Sequence, residues 1–171
     1  MRTLQRRRGF TLIELLVVIV IVSILAALLV VLVKGMVERS RNMQTKALVE
    51  ILDRGCAAYR ADTGTVPPLG PYTGSQNLHF YLGAPRTLVV QEGTPPLTAS
   101  LPPLIEFRRE WLDPSAPSTL PNPPSTVVDA WGNAIEVENP GAVNVKAVDL
   151  RSRGRDISDP GDDLTNYVRD W

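Results

Sequence analysis

The sequence predicts an α+β fold: one long N-terminal helix packed against a small antiparallel β-hairpin, with long proline-rich loops between them. Three observations lead there. An apolar run from Phe10 to Val33 continues into an amphipathic stretch that ends near Ala61. Thirteen of the fifteen prolines fall between residues 67 and 124. Beyond Asp129, short strand-like segments flank a turn at Asn139-Pro140-Gly141-Ala142. Of the 171 residues, those left after the apolar run suffice for one small core and not for two.

The first element sets the class. Phe10 to Val33 holds only Thr11, Glu14 and Ser23 as polar residues. As a helix its 24 residues reach about 36 Å, enough to cross a hydrocarbon layer of roughly 30 Å. Arg6, Arg7 and Arg8 precede it, so the positive-inside rule puts residues 1–9 in the cytoplasm and the rest outside. A cleaved secretory signal fits poorly, because the run is too long and ends in Lys34-Gly35. A plain signal anchor fits its length but leaves Glu14 unexplained. A carboxylate within a bilayer is costly and needs a partner, and the segment offers no cation at helical spacing.

Arg-rich leader, Gly9, Phe10-Thr11-Leu12-Ile13-Glu14-Leu15-Leu16 and a long apolar helix together resemble the class III signal of the type IV pilin-like family, which includes the pseudopilins of type II secretion. The resemblance implies cleavage by a prepilin peptidase between Gly9 and Phe10, and N-methylation of Phe10. It also implies that Glu14, the fifth mature residue, pairs with the terminal ammonium of a neighbouring subunit during assembly.

The second element continues the helix outside the membrane. Leu48, Ile51, Leu52, Cys56 and Tyr59 recur at three- and four-residue steps, while Glu38, Arg39, Lys46, Glu50, Asp53 and Arg54 lie mostly off that stripe. Glu50 and Arg54 form an acid-before-base pair one turn apart. Asp62-Thr63-Gly64, with Pro67-Pro68 beyond, is a helix stop. Cys56, the one cysteine, lies on the apolar stripe and reads as a buried thiol; no intrachain disulfide is possible.

In the proline-rich middle, prolines exclude long helices and central strands. Short helices are expected at Ser75–Leu82 and Leu104–Leu112. His79, the only histidine, has no acid or thiol at ligand spacing. At the C-terminal end, Ile135 to Glu138 and Val143 to Val148 read as the two strands of a hairpin. Asp129-Ala130-Trp131-Gly132-Asn133 before it resembles the major pseudopilins of type II secretion, with Trp131 expected as a core anchor.

Residues 149–171 hold six Asp and no Glu, four of them between 156 and 163. Such a turn-rich acidic loop suits Ca²⁺, which takes six to eight oxygens; the competing reading is a solvated loop screened by Arg151, Arg153 and Arg155. The same family resemblance implies one structural calcium ion. Ser152, Gly154 and Asp156 match the first part of that motif, and Asp163-Leu164-Thr165-Asn166-Tyr167 the last, with a shorter loop than usual and Arg155 beside it. Asp156 and Asp163 are the expected side-chain ligands, Asp159 a third, and the Arg153 carbonyl a backbone one.

The expected organisation is thus a removed leader (1–9), a transmembrane and assembly half-helix (10–33), a periplasmic half-helix (34–64), a proline-rich variable region (65–128), and a β-hairpin with an acidic loop (129–171). The formal net charge is zero, and without the first nine residues no basic patch suits nucleic acid. No catalytic triad, phosphate loop or other catalytic constellation is present, so no enzyme is expected. The resemblance implies a homopolymer built through the N-terminal helix. It also implies a prepilin peptidase, an inner-membrane assembly platform and minor pseudopilins as partners, and a periplasmic filament that drives protein export. The alternatives are a type IV pilus or competence pilin, which usually bears a C-terminal disulfide loop, a minor pseudopilin, or a membrane-anchored binding module.

Overall fold

The computed structural model describes residues 10–91, 97–116, 119 and 121–166. Gly9 with the arginine-rich leader, and Tyr167 at the end of the acidic motif, lie outside the described residues. Two compact units divide the chain, residues 1–40 and 41–171, and helix α1 (Leu12–Thr63) contributes to both.

In the first unit α1 is apolar on all sides from Leu15 to Val33 save for Ser23. Its leucines, isoleucines and valines from Leu12 to Val30 are about half exposed or more. The helix is long and apolar enough to cross a membrane, and among the described residues none of its most apolar stretch is buried. Ser23 donates its hydroxyl to the Ile19 carbonyl at 2.7 Å, which satisfies a polar group that hydrocarbon would leave unpaired.

In the second unit α1 buries one stripe, Thr45, Leu48, Val49, Leu52 and Cys56, at the expected helical spacing. The helix stops where expected. Gly64 adopts φ +78, a left-handed conformation that glycine takes without a Cβ clash, and its N–H returns to the Arg60 carbonyl at 2.8 Å. Helix α2 (Ser75–Gly83) packs Leu78 and Leu82 onto that stripe. Gly55 permits the close approach: a Cβ there would stand 2.5 Å from Ile105 Cδ1 and 3.2 Å from Leu82 Cδ1.

Strands β1 (Arg86–Gln91) and β2 (Leu97–Leu101) form an antiparallel pair with a register shift between Val89 and Gln91. This hairpin was not read from the sequence. Prolines 85, 95, 96 and 102 fall just outside its strands, so none removes a ladder hydrogen bond.

The helix expected over Leu104–Leu112 is absent except for a single 3₁₀ turn, Arg109–Trp111. Ile105 and Phe107 are buried while Glu106 and Arg108 are exposed, a period of two that suits extended backbone. The Ile105 N–H caps α2 by donating to the Leu82 carbonyl at 3.0 Å. The apolar residues of this segment do enter the core, but as a strap.

The C-terminal hairpin also differs from expectation. Strand β3 (Glu136–Glu138) pairs with β4 (Asp149–Ser152), in register Glu136↔Arg151, Val137↔Leu150 and Glu138↔Asp149. Strand β5 (Leu164–Thr165) adds on the other side of β4. Val143 and Val145, expected in the second strand, are exposed. The Asp149 carboxylate accepts from the N–H groups of Val143 (2.7 Å) and Asn144 (3.1 Å) and from the Asn144 amide (2.9 Å), folding that segment into a loop. Val148 and Leu150 then join Val127 and Ile135 against the α1 stripe.

Candidate functional site

The start of α1 is the first candidate site. Thr11 donates its backbone N–H (2.9 Å) and its hydroxyl (3.0 Å) to Glu14 Oε2, and the Glu14 N–H donates back to Thr11 Oγ1 at 3.3 Å. This is a capping box, in which a Thr and a Glu three residues later satisfy each other's orphan donors. Its signal, Thr-x-x-Glu, is visible in the sequence. Glu14 therefore has a local partner at the start of its own helix, Thr11, the residue after Phe10.

The second candidate is the turn after Asp129. Asp129 is buried, and Oδ1 accepts the N–H groups of Trp131 and Asn133, each at 2.8 Å. Its Oδ2 accepts the Ser152 hydroxyl at 2.6 Å, and Ser152 Oγ in turn accepts the Gly154 N–H at 3.2 Å. Three donors compensate the loss of water around this carboxylate. Gly132, at φ +90, makes the turn possible. Trp131, expected in the core, lies half-buried at its rim. Its Nε1–H donates to Asn42 Oδ1 at 3.2 Å, and the Arg41 guanidinium stands 4.9 Å from the ring centroid. Val127 and Ile135 on either side of the turn fill the core in its place.

His79 is also structural. The Ser125 N–H donates to Nδ1 at 2.8 Å, and Nε2 lies 3.0 Å from the Thr119 carbonyl, so Nε2 carries the proton. Burial pushes its pKa below the ordinary imidazole value. Burial, with the Asp53 charge adding to it, pushes the Cys56 thiol up to about 12, which leaves it protonated and unreactive at neutral pH.

The third candidate is the acidic loop, where calcium was expected. Asp163 accepts from Arg151 Nε at 2.9 Å and from Nη2 at 2.5 Å. Asp156 Oδ1 accepts the Ser158 N–H at 3.0 Å. Asp159 Oδ1 accepts the Gly161 N–H at 2.8 Å, capping the 3₁₀ turn Pro160–Asp162. The side chain of Arg153 joins Glu136 at 2.6 Å. The carboxylates of Asp156, Asp159 and Asp163 thus each accept from a different partner, and no group of three His, Cys, Asp or Glu fit for a metal forms among the described residues.

Asn166, part of the same motif, is the residue that closes this end of the fold. It accepts the Leu150 N–H at 2.8 Å and donates to Asp53 Oδ1 and the Val148 carbonyl, each at 2.8 Å, tying β5 to β4 and to α1. Asp129 and Asn166 lie in the two stretches that carry the family resemblance, whereas Asp149, which organises the loop before β4, lies in no motif.

Residues 4–30 match the family model described as the prokaryotic N-terminal methylation motif. Over nearly the full chain the sequence is similar to proteins named type II secretion system core protein G. That of Escherichia coli (strain K12) is 32% identical over 169 residues, 98% of this chain and 95% of that protein. That of Dickeya chrysanthemi is 30% identical over 164 residues, 95% of this chain and 88% of that protein. That of Klebsiella pneumoniae is 28% identical over 166 residues, 96% of this chain and 97% of that protein. No solved structure matches. The likeness extends across the proline-rich region as well as the helix and acidic end, and on this identity and coverage the chain belongs to the type II secretion system core protein G family, the major pseudopilins, within the N-terminally methylated type IV pilin class.

Proposed function

We propose that this chain is the repeating structural subunit of a type II secretion pseudopilus, with no catalytic role of its own. It is made as a precursor, cut between Gly9 and Phe10 by a prepilin peptidase, and methylated on Phe10. Residues 10–33 hold it in the inner membrane with the second unit in the periplasm. It then leaves the bilayer as a homopolymer, with the assembly platform and minor pseudopilins as partners, and drives protein export.

The observation that carries this reading is the first half of α1, which exposes apolar side chains all round and carries Glu14 in its first turn. Such a surface needs lipid before assembly and apolar helices after it. Glu14 suits a handover between the two. A carboxylate near the bilayer is tolerated while the Thr11 donors hold it, and cleavage creates an ammonium at Phe10, next to Thr11, that offers every copy a cation.

Mass spectrometry of the membrane-extracted chain tests the reading. The mature form is expected to begin at Phe10 with one added methyl group, and Gly9→Val to retain the full precursor. In a filament assay the Glu14→Gln variant is expected to be processed but to assemble poorly. An uncut, monomeric wild-type chain would favour a membrane-anchored binding module instead.

A further inference from the structure

We propose that Arg151 supplies, from within the chain, the positive charge that the C-terminal acidic turn requires, so that this turn closes without a divalent cation. The register of the three-stranded sheet creates the arrangement. Arg151 sits on the central strand β4, directly opposite Glu136 on β3 and Thr165 on β5. Side chains two residues apart share a face, so Asp163, two before Thr165, lies diagonally across from Arg151. Arg153, two beyond Arg151, lies diagonally across from Glu136 by the same rule.

The side chains use these positions. Arg151 places Nε and Nη2 on Asp163 Oδ2, at 2.9 and 2.5 Å, and Nη1 stands 3.8 Å from Glu136 Oε2. Arg153 places its own fork on Glu136 Oε1. Two arginines and two acids make a neutral set on one face, while Leu150, Ser152 and Leu164 on the opposite face are buried. The Asp163 side chain is the most enclosed member, 12% exposed, and a carboxylate so placed needs a fixed counter-charge.

Guanidinium is suited to that role because it stays charged at any physiological pH and meets the carboxylate with a planar fork. It also obstructs the alternative. Calcium requires six to eight oxygens around one point. Here the Oδ2 of Asp163 is taken by a cation, and one oxygen each of Asp156 and Asp159 is taken by a backbone N–H of its own turn. Binding calcium through Asp163 Oδ2 means displacing the Arg151 fork that holds this oxygen.

Thermal unfolding of the full chain in detergent micelles, in excess Ca²⁺ and in excess EGTA, tests the proposal. The wild-type midpoint is expected to be the same in both. Arg151→Gln and Asp163→Asn are each expected to lower it by roughly 4–8 °C, and the double variant by less than their sum, because the two side chains act as one pair. A saturable rise of the wild-type midpoint with Ca²⁺ that Asp163→Asn removes would overturn the proposal, as would an Arg151→Gln midpoint equal to wild type. Calorimetric titration of the wild type with Ca²⁺ keeps it falsifiable if a variant fails to fold: no saturable heat is expected, and a saturable heat overturns it. Neither measurement depends on whether the chain polymerises.

Discussion

Between Leu12 and Val30 helix α1 leaves its leucines, isoleucines and valines exposed on every side, whereas between Thr45 and Cys56 it buries one stripe and exposes the rest. The backbone hydrogen bonding is the same in both stretches, so helix formation alone does not distinguish them. What differs is where each half finds apolar company. The second half finds it in Leu78, Leu82, Ile105, Phe107 and Leu150 of its own chain. For the most apolar stretch of the first half, none of the described residues supplies it.

The comparison is broken most directly by shortening one leucine in each half. Leu52 is fully buried at the centre of the core cluster. Leu52→Ala is expected to cost about 2–5 kcal/mol, the transfer of the lost methyl groups plus the cavity left behind. Leu25→Ala, at an exposed position of the first half, is expected to leave the unfolding midpoint of the second unit unchanged. Circular dichroism of the full chain in detergent micelles measures both. Equal losses from the two substitutions would mean that the halves do not differ as described.

A second expectation concerns a polar group that the core cannot do without. Asp129→Ala removes the acceptor for Trp131 N–H, Asn133 N–H and the Ser152 hydroxyl. Leaving these donors unmatched is expected to cost about 1–3 kcal/mol, less than the Leu52 cavity at its upper end. Ser152→Ala, which deletes one hydrogen bond to Asp129 and one from Gly154, should cost less than Asp129→Ala in the same assay. A larger loss for Ser152→Ala would place the centre of the turn on Ser152.

Legibility in the sequence followed periodicity. The α1 stripe, the helix stop at Gly64 and helix α2 were all readable, because burial at three- and four-residue steps, a glycine before prolines and a short apolar run each have a local cause. Ile105 and Phe107 show a period of two that a helical template obscured, since Leu104, Trp111 and Leu112 also fit a helix face. The β3 partner could not be chosen locally. Val143 and Val145 alternate as a strand does, yet Asp149 bends that segment away, and its effect depends on side-chain hydrogen bonds five and six residues distant. The acidic loop shows the same limit. Composition located the acids and the three arginines near them, but not which guanidinium β-sheet register sets beside Asp163.

Acidification provides a third test, confined to the second unit. The neutral His79 ring uses both nitrogens, and burial holds its pKa below that of an unfolded histidine, about 6.5. Its contribution is therefore fully present above that value and is lost as pH falls from about 6.5 through the folded pKa. Protonating Nδ1 would set an N–H against the Ser125 N–H. The unfolding midpoint is expected to decline between pH 6.5 and 5, and to do so less steeply in His79→Gln. Identical slopes for the two proteins would remove His79 from the acid response.

The smallest expected effect comes from making the same substitution in both halves of α1. Thr45 Oγ1 accepts the Ala130 N–H at 3.2 Å from a fully buried position, so Thr45→Val keeps the shape and strands a donor inside the second unit. Thr11 Oγ1 accepts the Glu14 N–H at the exposed helix start, where Thr11→Val removes half of the capping box and leaves the Thr11 N–H still bonded to the carboxylate. A lost cap costs about 1 kcal/mol, which corresponds to roughly fivefold faster local opening. Hydrogen exchange in micelles should therefore show faster exchange confined to the first turn in Thr11→Val, with the core amides unchanged. Thr45→Val should instead speed exchange through the core and lower the unfolding midpoint. If Thr11→Val altered the core amides as well, the two halves of α1 would be energetically coupled, and the first half would do more than await lipid or a neighbouring helix.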